Sequence, residues 1–364
     1  MRKLACKAVA TALFAASSLA SAAPAAAAGM SVRTLAAQEM RLATMAHRMA
    51  TANADLCTRT DMLTGMVVHD LTQYDRGRRA DVSRAFSLRS GFGVLQLVPD
   101  SAAERAGLRV DDEIIAVGRA SVEDHGALST STHSFRRMEQ FSDMLQAQLA
   151  RGPATLLIRR AGQLQALSLT GERGCGGQLT LANSASLNAW ADGRHIVLTT
   201  GMAGFARSDD EIAFVIAHEM AHNILSHFSG PGRMRIFGSL RARNYELDAD
   251  GFAVRLMGEA GYRPDAGISF LQRSRQRMWW AFSLDHPGFG SRIRTVASEI
   301  SKWQQAKLPK RQAIALRSAT GVIASTAAVA PAPRVSNREI EAPRFAQSWR
   351  QTFAWRPDGP VSQP

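Results

Sequence analysis

The stretch DDEIAFVIAHEMAHNILSHF, from Asp209 to Phe228, predicts a long helix near the centre of the chain. It contains neither Gly nor Pro, and most of its residues are apolar. Ser208 precedes it, and Glu211 stands three residues after that serine. This S-x-x-E spacing is a capping box, in which each side chain satisfies a free N–H group at the start of a helix. The sequence therefore predicts that the helix begins at this serine.

The five letters HEMAH within this helix have the spacing of a metal site. His218 and His222 are four residues apart, so both imidazoles lie on one face and can reach one ion. Glu219 is rotated by about 100° from His218, beside the ion, where a general base takes a proton from water. The alternative is a buried helix whose histidines are satisfied by hydrogen bonds.

A second helical stretch, RARNYELDADGFAVRLM from Arg241 to Met257, carries acidic candidates for a third ligand. A catalytic zinc ion normally takes three protein ligands and leaves one position for water. Glu246 and Asp250 are four residues apart, so one can bind the metal while the other supports a ligand. The apolar residues around them favour an inward-facing pair over two solvated carboxylates.

The composition is that of a globular protein with a basic excess. A length of 364 residues leaves room for two domains with extensions, and 46% of the residues are hydrophobic. The formal net charge of +13 favours acidic partners or weak association with anionic membrane surfaces. The arginines are spread along the chain and no recognition motif is present, so we expect no nucleic-acid partner.

The N-terminal segment has the pattern of a secretory signal peptide. Basic residues precede an apolar run, and an Ala-x-Ala site follows at Ala20–Ala22, with a second candidate cut near Ala28. Residues 1–28 are therefore predicted to be removed on export to the periplasm or the exterior. No later stretch reaches about 18 apolar residues, so we expect no transmembrane segment. The two remaining cysteines, Cys57 and Cys175, favour a disulfide, with two separate buried thiols as the alternative.

Changes in composition and hydrophobic periodicity divide the chain into further segments. A helix is predicted over residues 36–57, short β-like runs follow from about 83 to 170, and the stretch after residue 310 is rich in Ala, Pro and Ser. We predict these boundaries: an N-terminal helical part of the catalytic domain at 29–78, a β-rich domain at 79–172, a catalytic domain at 173–310 and a disordered tail at 311–364.

The β-rich segment resembles a PDZ domain. The best motif is VPDSAAERAGLRVDDEI, with Asp111-Asp112 where such domains usually have Gly-Asp. The resemblance implies that a peptide adds as a strand to a sheet edge and that a Gly-rich loop holds its carboxylate. The matching loop has the following residues: Gly91, Phe92, Gly93 and Val94. A plain turn at the start of a strand is the alternative for this loop.

Four motifs in order resemble the HtpX-like and Oma-type zinc metalloendopeptidases, the group that includes the CAAX prenyl proteases. They are NAWADGRHIVLTTGM, EIAFVIAHEMAHNILSHF, NYELDADGFAVRLMGEAGYRP and DHPGFGSRI. The resemblance implies a mainly helical, gluzincin-like domain of the α+β class with a small edge sheet and an inserted PDZ domain. It also implies one zinc ion per chain, held by His218, His222 and Glu246.

The same resemblance implies roles for the residues around the metal. Glu219 is the general base, and Asp250 orients a ligand histidine. His286 and Arg292, in the DHPGFGSR motif, are expected to support the metal ligands or to stabilise an oxyanion, although a structural loop would explain this histidine equally well. The strand Arg194–Thr200 is expected to be the edge strand that pairs with the substrate.

These features together predict an exported zinc metalloendopeptidase that hydrolyses unfolded or envelope proteins with PDZ-assisted peptide recognition. The alternative is a chaperone-like, peptide-binding quality-control factor with little turnover. The complete set of His218, Glu219, His222 and Glu246 argues against it, because a binding protein has no need of a general base.

Overall fold

The computed structural model describes residues 32–89, 91–122, 135–227, 240–277 and 288–307. The predicted signal peptide, the predicted tail and His286 lie outside these ranges. Within them the chain combines helices and sheets, which confirms the predicted α+β class.

The helices of the described ranges are of very different lengths. In chain order they are α1 (Val32–Ala52), α2 (Arg79–Ala85), α3 (Ala102–Arg105), α4 (Arg136–Leu149), α5 (Thr200–Phe205), α6 (Asp209–Ile224), α7 (Leu240–Glu259), α8 (Ala266–Arg277) and α9 (Phe289–Lys307). None of these helices is long and apolar enough to cross a lipid bilayer.

The strands of the same ranges are short. They are β1 (Thr60–Leu63), β2 (Met66–Asp70), β3 (Phe92–Leu97), β4 (Glu113–Val117), β5 (Ala120–Ser121), β6 (Ala154–Arg160), β7 (Gln163–Leu169), β8 (Glu172–Cys175), β9 (Gln178–Ala182), β10 (Ala189–Ala191) and β11 (His195–Thr199).

Strands β2 to β7 form one antiparallel sheet in the region predicted to be β-rich. Its order is β2-β3-β4-β6-β7, with β5 paired to β4. Helix α4 packs on this sheet, and the ring of Phe141 stacks on Phe92 with centroids 5.1 Å apart. The sheet begins at Met66, earlier than the predicted boundary at residue 79, because β2 pairs with β3 along its length.

The predicted carboxylate loop, Gly91–Val94, does not lie at an open sheet edge. Phe92, Gly93 and Val94 belong to β3, which is hydrogen-bonded between β2 and β4. The side chains of Phe92 and Val94 are fully buried, and the Gly91 carbonyl accepts the Leu71 N–H at 2.9 Å. A peptide strand has no free edge to pair with at β3. The prediction for this loop is therefore corrected, and the outer strand on this side is β2.

Helix α6 lies at the centre of a second core. Every side chain from Glu211 to His222 is buried, and the helix contacts α1, α7, α8, β10 and β11. Leu42, Met45 and Met49 of α1 belong to the same apolar cluster. Burial on all sides explains why α6 is apolar almost all round apart from its metal-site motif.

The start of α6 differs in one detail from the predicted capping box. The Ser208 hydroxyl accepts the Glu211 N–H at 3.3 Å, as the S-x-x-E spacing predicts. The Glu211 carboxylate accepts the N–H of Arg207 at 2.7 Å and pairs with Arg273 of α8. The first turn of α6 is thereby fixed to α8 by a charge-assisted contact.

The small sheet beside α6 has the order β10-β11-β9, with β11 antiparallel to β10 and parallel to β9. The prediction that the strand Arg194–Thr200 forms the edge is wrong, because β11 is the middle strand. The edge strand that contacts α6 is β10. Asn223 of α6 fixes this hairpin, since it accepts the Gly193 N–H at 2.7 Å and donates to the His195 carbonyl at 3.2 Å.

Strands β1 and β8 form an antiparallel ribbon between the two sheets. Thr60 pairs with Cys175, and the sulfur atoms of Cys57 and Cys175 are bonded, with their Cα atoms 5.4 Å apart. Cys175 is buried in the same apolar cluster as α6. The Thr58 hydroxyl donates to the carbonyl of Ile224 at 3.3 Å. The base of the ribbon therefore contacts the end of the helix that carries both histidines.

We expect removal of the disulfide to destabilise the protein. The bond joins residues 118 positions apart, and closing a loop of that length limits the entropy of the unfolded chain. The double change Cys57→Ala and Cys175→Ala should lower the free energy of unfolding by about 2–5 kcal/mol, measured by chemical denaturation without reductant. Wild-type protein in reductant is the control, and it should unfold near the midpoint of the variant. Equal midpoints for oxidised wild type and variant would contradict this prediction.

Candidate metal centre

Three side chains from α6 and α7 converge on one point. The Nε2 atoms of His218 and His222 are 3.2 Å apart, and the carboxylate of Glu246 lies 3.4 Å from the first and 3.3 Å from the second. The two histidines are 8% and 6% exposed. Helical spacing on α6 and the packing of α7 against α6 produce this convergence.

This donor set suits a divalent metal ion. Two imidazole nitrogens and one carboxylate oxygen are the ligands of a catalytic zinc site with an open fourth position. Within the described residues, the group of His, Cys, Asp and Glu side chains that can hold an ion consists of these three. The two Nε2 atoms face each other and the carboxylate, so a shared ion satisfies all three groups at once.

Asp250 supports the first histidine. Its carboxylate lies 3.0 Å from Nδ1 of His218, one turn after Glu246 on α7, and its exposed fraction is 0%. Arg292 of α9 binds the same carboxylate through two nitrogens, at 2.6 and 2.7 Å. The third guanidinium nitrogen of Arg292 lies 3.6 Å from Glu246. Arg292 therefore neutralises charge behind the ligands, as expected for an outer group that orients them.

These contacts set the protonation of the site. Burial opposes a charge on His218, but the hydrogen bonds to Asp250 and Glu246 outweigh it and raise its pKa to about 10. Burial alone would raise the pKa of Asp250, yet Arg292 and His218 hold that pKa below its usual value. A metal ion at Nε2 of His218 displaces a proton, so metal affinity should increase with pH.

Glu219 lies next to His218 on α6 and is 8% exposed. Burial raises the pKa of its carboxyl above the usual value, although the charges of His218 and His222 oppose this effect. A raised pKa makes the carboxylate a better proton acceptor than an exposed glutamate. Glu219 thus has the environment of a general base.

His227 supports the second histidine, although its position nine residues after His218 predicted a structural role away from the metal site. Its Nδ1 lies 2.9 Å from Nδ1 of His222, and its ring stacks on Tyr245 with centroids 4.2 Å apart. Burial lowers the pKa of His227 to about 4. Continued helical spacing would have pointed this residue elsewhere, but α6 ends at Ile224.

A Schellman motif ends α6 and turns the chain so that His227 contacts His222. Ser226 has a positive φ of 56°, its N–H donates to Asn223 at 3.2 Å, and the His227 N–H donates to His222 at 3.1 Å. Such motifs usually have Gly at the left-handed position, which Ser occupies here. The missing glycine is why the sequence did not signal where the helix ends.

The structure does not bring every candidate residue to the centre. The loop Gly91–Val94 belongs to the other sheet, and His286 lies outside the described residues. His195 lies 3.0 Å from Asp192, away from this cluster, at the start of β11.

A buried His-Glu-x-x-His helix with a carboxylate from a neighbouring helix is the arrangement of a metallopeptidase. Residues 177–238 match the family model of peptidase family M48, and residues 93–160 match that of a PDZ domain. Both matches confirm the resemblances drawn from the sequence. No curated protein matches the chain. The first match contains His218, Glu219 and His222 and ends before Glu246, so the case for the third ligand rests on geometry.

The support from Asp250 can be tested by the change Asp250→Asn. The amide keeps the shape but loses the charge that holds His218, and Arg292 loses its ion pair with Asp250. We expect metal affinity to fall by about 10–100-fold, measured by competition with a chromophoric chelator. Asp248→Asn is the matched control, because Asp248 is exposed on the same helix, and it should bind metal like wild type. Equal affinities for the two variants would contradict the assignment.

Proposed function

We propose that this protein is a zinc-dependent endopeptidase that cleaves extended polypeptides. The observation that carries the proposal is the convergence of two imidazoles and one carboxylate on one point, with Glu219 beside them. A helical core without catalysis has no reason to bury these groups together, because burial of charge is costly unless it is compensated.

The chemistry assigns a separate task to each residue. A bound zinc ion supplies Lewis acidity and lowers the pKa of water. Glu219 takes one proton from the attacking water while the water oxygen bonds to the carbonyl carbon of the substrate. The carbon–nitrogen bond then breaks, and Glu219 returns the proton to the leaving amine. The products are one new carboxyl terminus and one new amino terminus.

The edge strand β10 is where we place the substrate backbone. It is an outer strand of the small sheet and contacts α6, the helix that carries His218 and His222, so we place the substrate at its outer edge. A peptide that adds to this edge is held in extended form by main-chain hydrogen bonds. Asn223 couples the hairpin of β10 and β11 to α6, one residue after the ligand His222. Unfolded or envelope proteins supply such extended segments.

We place peptide recognition by the PDZ domain at β2, in place of Gly91–Val94. Strand β2 ends the strand order of its sheet, and α4 lies alongside it. Arg137 of α4 forms a buried ion pair with Asp70, the last residue of β2, at 3.2 Å. The unpaired edge of a terminal strand is the surface that a peptide extends in this recognition mode.

The domain organisation that we propose is an insertion. Helix α1 shares its core with α6, whereas the PDZ sheet lies between them in sequence. The chain enters the PDZ domain through β1 and leaves it through β8, and these two strands pair as a ribbon. The disulfide joins the two strand ends on the side of the catalytic domain. This arrangement supports the proposal that the chain before the PDZ domain and residues 173–310 are parts of one catalytic domain. The first part, predicted as 29–78, then ends at the start of β2.

Export to the periplasm or the exterior remains part of the proposal. It rests on the signal-like residues 1–28 and on the cysteine pair in an oxidising compartment. N-terminal sequencing of protein secreted by an expressing bacterium would reveal the cleavage, and an intact N-terminus on the exported protein would refute it.

The change Glu219→Gln tests catalysis directly. Glutamine cannot accept the proton, so we expect hydrolysis of unfolded casein to fall by at least about 100-fold, while the protein still binds one zinc ion per chain. Activity is measured by the release of new amino termini, and bound zinc by elemental analysis. The control is Glu299→Gln on α9, a surface glutamate paired with Lys302, which should cleave like wild type. A zinc-loaded wild type that cleaves no more than Glu219→Gln would instead favour the chaperone-like alternative.

A further inference from the structure

His227 occupies a position between the two helices that carry the ligands. It follows the end of α6, and its Nδ1 contacts Nδ1 of His222 at 2.9 Å. Its ring stacks on Tyr245 of α7 with an interplanar angle of 11°. Tyr245 immediately precedes Glu246, so this stack connects the end of one ligand helix to the ligand turn of the other.

Metal binding at Nε2 of His222 decides which ring donates in the contact between the two Nδ1 atoms. A hydrogen bond needs one proton between them, so one nitrogen is a donor and the other an acceptor. The Nε2 atom of His222 faces Nε2 of His218 and the carboxylate of Glu246, and it must present a lone pair to bind a metal. The proton of a metal-binding His222 is therefore on Nδ1. His227 then accepts it and carries its own proton on Nε2.

We propose that His227 is a positioning residue of the metal centre. It fixes the tautomer and the ring plane of His222 by accepting the Nδ1–H bond. This inference rests on the proposed metal site and assigns a role to a residue outside the ligand set and the general base.

The two ligand histidines thus have different supports. His218 donates to a carboxylate, Asp250, whose charge is balanced by Arg292. His222 donates to a neutral ring, which adds no charge. With Glu219, Glu246 and Asp250 ionised, Arg292 and a divalent ion bring the sum of formal charges to zero. A carboxylate in place of His227 would leave one excess negative charge in a buried site, which is costly.

Two substitutions separate the hydrogen bond from the stack. His227→Phe keeps an aromatic ring against Tyr245 but has no acceptor. His227→Asn loses the ring, but its Oδ1 atom is the same number of bonds from the backbone as Nδ1 of histidine and can accept the bond. If His227 acted only through packing, the phenylalanine variant would be the better tolerated of the two.

The experiment measures the affinity of each purified variant for Zn²⁺ and Co²⁺ by competition with a chromophoric chelator. Thermal unfolding of the metal-free proteins reports on folding. We expect His227→Phe to bind metal about 10–100-fold more weakly than wild type, with a similar melting temperature, and His227→Asn to recover most of the loss. Equal affinities of His227→Phe and wild type, or equal losses in both variants, would overturn the inference.

The outcomes distinguish this inference from the proposed function. A wild type that binds one ion per chain, together with a phenylalanine variant that binds as tightly, refutes the role of His227 alone. A wild type that binds no ion refutes the metal site, and this inference with it. If the phenylalanine variant is unfolded without metal, its melting temperature is lowered. The metal affinity of the asparagine variant then decides between a hydrogen-bonding role and a packing role for His227.

Discussion

The structure depends on holding ionisable groups inside an apolar helical core. Asp250 is fully buried, and it lies between His218 on one side and Arg292 on the other. Burial of a carboxylate costs several kcal/mol unless a charge partner and hydrogen bonds compensate it. This chain of contacts supplies that compensation, and it requires α6, α7 and α9 to meet at one point. The packing of this helical core therefore follows from the need to compensate these buried charges as much as from apolar contacts.

The surrounding elements hold α6 at both ends. Arg273 fixes its first turn through Glu211, and the ribbon of β1 and β8 contacts its last turn through Thr58. The same ribbon leads to the PDZ sheet, whose helix α4 also reaches the small sheet, since Asp143 pairs with Arg194. That contact lies in the turn that joins β10, the edge strand that we assign to the substrate, to β11. The two proposed peptide-binding strands, β2 and β10, are therefore linked by the ribbon and by the contact between α4 and the small sheet.

Local sequence patterns predicted much of the helical core and of the candidate metal centre. The S-x-x-E spacing located the start of α6, and helical periodicity placed His218 and His222 on one face and Glu246 one turn before Asp250. Properties that depend on distant pairing were not predictable. Whether β10 or β11 is the edge depends on which side β9 joins, and β2 became the outer strand only through its pairing with β3. His227 was predicted to point away from the site, and its contact with His222 was not predictable because Ser226 adopts a left-handed conformation without the glycine that usually marks it.

The most direct test of the central claim is anomalous X-ray diffraction from crystals grown with zinc, recorded above and below the zinc absorption edge. The account predicts one strong anomalous peak per chain, at about 2.0–2.2 Å from Nε2 of His218, Nε2 of His222 and a carboxylate oxygen of Glu246. Stoichiometric zinc bound elsewhere, or the lack of a peak among these three residues, would contradict it.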